Sequence, residues 1–148
     1  MKKRNAAVRV SQRRRGRAIE PKEGYWSRLE TLIRDDICGG NREYAEYIIH
    51  WMAHGVQKPD AQGIPPIIFR HSADDDGKAA RILGNSYGSL FGDRYCYATN
   101  AEAVTETAFF VFLDGVGDVE TIDALLAGHP TRRIMASTWV RGPWTVKL

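Results

Sequence analysis

Apolar residues recur at three- and four-residue spacing early in the chain, and then the rhythm changes. From Tyr25 onward, Trp26, Leu29, Ile33 and Ile37 fall on one side of a helix. Gly39-Gly40 ends it, and Asn41 offers a side-chain cap to the next helix. That second helix carries Tyr44, Tyr47, Ile48, Trp51 and Met52 as one stripe and runs out near Gly55. QKPDAQGIPP then reads as a loop. Ile67, Ile68 and Phe69 form a short continuous apolar run, the kind found in strands buried on both faces. Ile82, Leu83, Tyr87, Leu90 and Phe91 return to helical spacing, stopped by Gly92. RYCYAT and AFFVFLD are further strand candidates, and residues 119–127 are helical ahead of Gly128 and Pro130. RRIMAS and WTVKL predict two strands joined as a hairpin through the turn RGP.

Two helices are therefore followed by strands that alternate with helices. This order predicts an α/β layered core with a largely parallel sheet. Such sheets take ligands beyond the carboxyl ends of their strands. Two chemically loaded places fall there: the loop and helix start RHSADDDGKAARIL, and Asp114 at the end of FFVFLD.

The composition fits that picture. The chain has 148 residues, 43% hydrophobic and 26% charged, enough for one soluble domain with a real core. Its apolar runs are too short for a membrane helix, and no apolar amino-terminal segment marks a secretory chain. Cys38 and Cys96 lie far apart and form no CxxC, which favours a reduced, cytoplasmic protein without structural zinc. Charge is uneven. Lys2, Lys3, Arg4, Arg9, Arg13, Arg14, Arg15 and Arg17 stand in an acid-free leader, so a whole-chain charge of +3 leaves the remainder at −5. Residues 1–18 read as a disordered basic tail. It is suited to nucleic-acid phosphates, with Arg13, Arg14 and Arg15 as its densest cluster, or it is a solvated leader or a targeting segment.

A phosphate loop needs glycines that let successive N–H groups turn inward, a lysine for the outer phosphates, and a Ser or Thr hydroxyl for magnesium. Laid on this chain, GxxxxGK(S/T) puts Ser72 at the first glycine, Asp76 just before the second, Gly77 and Lys78 in register, and Ala79 at the hydroxyl position. Asp114 is either an ordinary turn aspartate before Gly115 or a magnesium ligand presented by a buried strand. A calcium loop is excluded, because Leu83 falls where a bidentate Glu is required. His50 and His54 form an HxxxH pair, but the Glu a zinc protease needs beside the first His is Trp51.

Taken together, these residues resemble the helicase domain of phage and prophage primase–helicases of helicase superfamily 3. The resemblance covers roughly residues 16–148. It rests on Gly16, Pro21, Cys38-Gly39-Gly40, Tyr44, Trp51, Ala53-His54, Gln57 and Pro59, on GKAARILGNSYGSLFGDRYCYATN, on FFVFLDG, and on LLAGHPTRRI with PWTVKL. It implies an AAA+-like P-loop NTPase core, shortened and either whole or incomplete, with a helical lead-in at 19–63 and the α/β core at 64–148. It implies ATP and magnesium as cofactors, with Lys78 on the phosphates and Asp114 on the metal and in the catalytic centre. An active member would be an ATP-dependent DNA helicase in a bacterial or phage-infected cell. Its partners would be single-stranded or duplex DNA and further subunits, either a ring of its own copies or an intact helicase. Arg132 and Arg133 would lie on a hairpin that faces DNA.

The departures from that family fall on the chemistry. Ser72 and Asp75 replace glycines, Ala79 brings no hydroxyl, and Gly115 stands where a hydrolytic acid is expected. Asp74, Asp75 and Asp76 set negative charge beside a triphosphate; at an effective dielectric of ~20, a like-charge pair ~6 Å apart costs on the order of 2–3 kcal/mol before screening. The expectation is a nucleotide-binding scaffold with weak or lost ATPase activity. The alternative is a non-enzymatic nucleic-acid-binding or helicase-interacting protein. If RRIMAS and WTVKL form a hairpin, the Ile67–Phe69 strand lacks a neighbour; in a second register RRIMAS fills that slot, with Thr138 near the place of a polar sensor residue.

Overall fold

A computed structural model describes residues 26–71 and 76–139, together with Gly24 and the backbone of the strand Thr145–Lys147. The basic tail, Arg13, Arg14 and Arg15 within it, Ser72, Asp74, Asp75 and the RGP turn lie outside the described residues.

The first helix, α1 (Ser27–Thr31), widens into a π-helical stretch over Leu32–Ile37, where the Cys38 N–H reaches back to the Ile33 carbonyl at 3.0 Å. Ile33 and Ile37 are buried, as their spacing predicts. Gly39 and Gly40 then take left-handed φ values of 55° and 83°, which reverse the chain with little steric cost. Helix α2 (Arg42–Gln57) begins where expected: Asn41 Oδ1 accepts from the Tyr44 N–H at 3.0 Å. It continues past Gly55, because that glycine is a contact and not a stop. A Cβ there would stand 2.2 Å from the Tyr87 hydroxyl, which donates to the Met52 carbonyl at 2.8 Å.

The sheet has the order β2-β3-β4-β1-β5. Its strands are β1 (Ile67–His71), β2 (Tyr95–Ala98), β3 (Phe110–Asp114), β4 (Arg133–Trp139) and β5 (Thr145–Lys147). The first four are mutually parallel, and β5 runs antiparallel along the far side of β1. The hairpin expectation is thereby corrected. RRIMAS does not fold back on WTVKL; it enters between β1 and β3, with Ile68 beside Ala136 and Val111 beside Ile134. The physical reason is burial. Ile134, Met135 and Ala136 are apolar on consecutive positions and are covered on both faces only in a central slot. β1 is paired on both sides, so the unsatisfied edge that a hairpin would have left does not arise.

Strand parity sorts the core into two layers. Ile67, Phe69, Phe110, Phe112 and Met135 face α1, α2 and helix α3 (Lys78–Gly88). Ile68, Val111, Leu113, Ile134 and Ala136 face the other way, toward helix α4 (Val119–Leu126) and its Ile122. Helix α3 departs from its predicted stripe. Leu83 and Tyr87 are buried, but Ile82 and Leu90 are exposed. The face that meets the sheet is Ala80, Leu83, Gly84, Tyr87 and Gly88, and it is chosen for closeness: Gly84 lies on Phe112 and Gly88 on Tyr95. Among the described residues no helix is long and apolar enough to cross a membrane.

Candidate functional site

The same parity that buries Phe112 and Met135 carries polar side chains to one rim. On the α3 side, the carboxyl ends of the parallel strands present Tyr97 from β2, Asp114 from β3, Ser137 from β4 and His71 from β1. Asp114 is paired in register with Ser137, and His71 with Trp139. The start of α3 stands over this row, which is where a ligand of an α/β sheet binds.

Gly77 is held there by two constraints. Its φ of +74° is left-handed, and a Cβ would come within 2.9 Å of both His71 Nε2 and Ser137 Oγ. Any side chain would push α3 off the rim. His71 is buried and packs edge-on against Trp139, with ring centroids 4.4 Å apart. Ser137 is fully buried, and its Oγ has no hydrogen-bond partner among the described residues. An unmet hydroxyl in such a place costs about 1–3 kcal/mol.

Lys78 is the first residue of α3, and its side chain is exposed. Its backbone N–H is already used: it donates to Asp76 Oδ1 at 2.9 Å. A carboxylate from the chain itself thus sits where an anion at this helix start would be received. Ala79 follows, half-buried and without a hydroxyl. Arg81, one turn into the helix, folds back across the rim. Its Nη2 donates to the Asp76 carbonyl at 2.9 Å, and its Nε donates to Asp114 Oδ2 at 3.3 Å. The pair is partly shielded, with side chains 34% and 22% exposed, so it is worth at most about 1 kcal/mol. The Tyr97 hydroxyl donates to the same Asp114 oxygen. That hydrogen bond is the main reason the Tyr97 phenol is held above its ordinary pKa, since a phenolate would lose the bond and face a carboxylate. Asp114 is therefore at the expected strand end and close to the start of α3, but its charge is already met by Arg81 and Tyr97. Gly115 follows with φ +85° and donates its N–H to the Ser137 carbonyl at 2.7 Å, tying β3 to β4.

The structure brings together Asp76, Gly77, Lys78, Ala79 and Asp114. Thr138 comes to the end of β4, where its side chain packs against Gly117. The rim also holds Arg81, Tyr97, His71 and Ser137, which the sequence reading did not single out.

Arg132 and Arg133 are elsewhere and do other work. They stand at the amino end of β4, the opposite end from this rim, and are only 4% and 0% exposed. Arg132 donates to the carbonyls of Thr105, Glu106, Ala108 and Leu125. Arg133 donates to the carbonyls of Lys58, Ala61 and Thr131, its Nη2 lies 3.5 Å from His54 Nδ1, and its guanidinium stacks over Phe109. The expectation that this pair faces DNA from a hairpin is corrected: both groups are enclosed, and burial lowers both pKa values. Compared with family models, curated proteins and solved structures, the chain matches none.

Proposed function

We propose that this chain is a nucleotide-binding scaffold related to the helicase domain of phage-type superfamily 3 primase–helicases, acting in a DNA-replication context with weak or lost ATP hydrolysis. The observation that carries the reading is the position of β4. In an AAA+-like sheet, a strand with a polar terminus lies between the phosphate-loop strand and the aspartate strand. Here β4 lies between β1 and β3 and brings Ser137 to the rim, beside Asp114 and beneath Gly77. Weak or absent hydrolysis is supported by Asp76 on the Lys78 amide, by the engagement of Asp114, and by glycine at position 115.

Calorimetric titration with ATP tests this. Wild-type protein is expected to bind weakly and to turn over no ATP with or without DNA. Lys78→Ala is expected to weaken the residual binding about tenfold, as loss of one charged contact does. The combined Asp74→Gly, Asp75→Gly and Asp76→Gly change is expected to tighten it. DNA-stimulated hydrolysis abolished by Lys78→Ala would overturn the claim of lost activity. Unchanged affinity in the Lys78 variant would overturn the site.

DNA contact is assigned to the basic tail, since Arg132 and Arg133 are enclosed. Retention on DNA at low and high salt is expected to fall steeply for the full chain and much less for a chain beginning at Ala18. Each phosphate neutralised adds ~0.9 to the slope of log affinity against log salt. Equal slopes would remove the tail as the binder.

A further inference from the structure

The magnesium ion that an AAA+-like nucleotide site implies does not fit the residues on this rim. Such an ion is bound by hard oxygen ligands, typically a hydroxyl after the lysine and a carboxylate with free lone pairs. Ala79 supplies no side-chain oxygen. Asp114 keeps only Oδ1 clear of donors among the described residues; its Oδ2 is shared by two, one of them the Arg81 guanidinium, a positive charge that would repel a metal ion and is itself fixed at its other end on the Asp76 carbonyl. Gly115 adds no second carboxylate. The cation that Asp114 would otherwise need is already present, and it is covalently part of helix α3.

We propose that this site binds a nucleotide triphosphate without a divalent metal, with Arg81 as the resident cation. The proposal rests on the nucleotide reading above and names the group that would meet the phosphates in place of a metal. Lys78 and Arg81 are one helical turn apart at the start of α3. Arg81 commits Nε to Asp114 and Nη2 to Asp76, which leaves Nη1 uncommitted among the described residues. An arginine keeps its charge at any working pH, and its charge-assisted N–H groups suit phosphate oxygens; here Nη1 is the donor left for one, while Asp114 competes for the charge. It does not supply what magnesium supplies to hydrolysis, which agrees with binding that outlives turnover.

The test is titration of the full-length protein with ATP, once in EDTA and once with excess magnesium. Melting curves establish that each variant is folded. The two affinities of the wild type are expected to agree within about threefold. Arg81→Ala is expected to weaken binding in EDTA about tenfold, the loss of one charge-assisted contact, and Arg81→Lys to lose less. Asp114→Asn, which keeps the size of the side chain and releases the Arg81 charge, is expected to bind ATP more tightly in magnesium. A true metal carboxylate would give weaker binding on the same change. Magnesium tightening of the wild type beyond about threefold, an Arg81→Ala variant equal to wild type in EDTA, or weaker binding by Asp114→Asn in magnesium would each overturn the proposal. Binding in neither condition, by wild type or by the triple aspartate-to-glycine variant, would overturn the nucleotide reading itself, a result distinct from metal dependence.

Discussion

Arg132→Ala is expected to destabilise the fold by about 3–5 kcal/mol while leaving the salt dependence of DNA retention unchanged. The guanidinium holds three separate pieces of chain at once: the turn through Thr105, Glu106 and Ala108, the end of α4 at Leu125, and the start of β4. Alanine would leave four carbonyls without that donor and open a cavity among them. Each carbonyl that stays dry costs about 1–3 kcal/mol, and water recovers part of the total by entering. Lysine is no substitute, because one ammonium with three donors cannot span the fan that a planar guanidinium spans. Urea denaturation of the two proteins measures the loss. A change below about 1 kcal/mol, together with a weaker grip on DNA, would return Arg132 to the surface role that its sequence suggests.

Gly84→Ala is expected to be destabilising by about 2–3 kcal/mol, although alanine in a helix interior is ordinarily a gain of about 1 kcal/mol over glycine. The sign is decided by Phe112. A Cβ at position 84 would stand 2.2 Å from its Cδ2, and the ring is fully buried with no direction in which to withdraw. Helix α3 must then lift from β3. Since Arg81 reaches Asp114 only because that helix lies close, the same change is expected to loosen the rim as well as the core. Valine at this position is expected to prevent folding. Thermal melting distinguishes the cases, and a stabilised Gly84→Ala variant would show that α3 does not rest on Phe112.

These two residues also show what a linear sequence displays and what it hides. The stripe of α2, its Asn41 cap and the unbroken apolar strands were legible because each is a local matter of spacing or of one side chain beside its own backbone. The α/β class followed from their alternation. Strand order was not legible in the same way. RRIMAS and WTVKL surround a good turn, and local chemistry favours a hairpin; what overrides it is a partner distant in sequence, Ile67 beside Met135. Adjacent arginines read as surface cations until the carbonyls that enclose them are known. At the rim, the places of Gly77, Lys78 and Asp114 were legible from their positions at strand and helix ends. Arg81 and Tyr97 were not, although a signal existed. Tyr97 shares the parity that puts Tyr95 on the α3 face of its strand, and Arg81 lies one helical turn after Lys78, so both point toward the rim that Asp114 occupies.

The pairing of β1 has a consequence for the order in which the protein is made. Its neighbours are β4 and β5, which leave the ribosome after β2 and β3. α1 and α2 can form as they emerge, and β2 can meet β3 after a short delay, but β1 must wait for β4 and β5. Long-range parallel pairing of this kind is slow, and until it is complete β1 offers two open edges to any passing strand. The rim is assembled from the ends of β1, β2, β3 and β4, so it cannot exist on a nascent chain that still lacks β4. It comes into being only once β4 has entered between β1 and β3, and a chain halted before that step has no such rim.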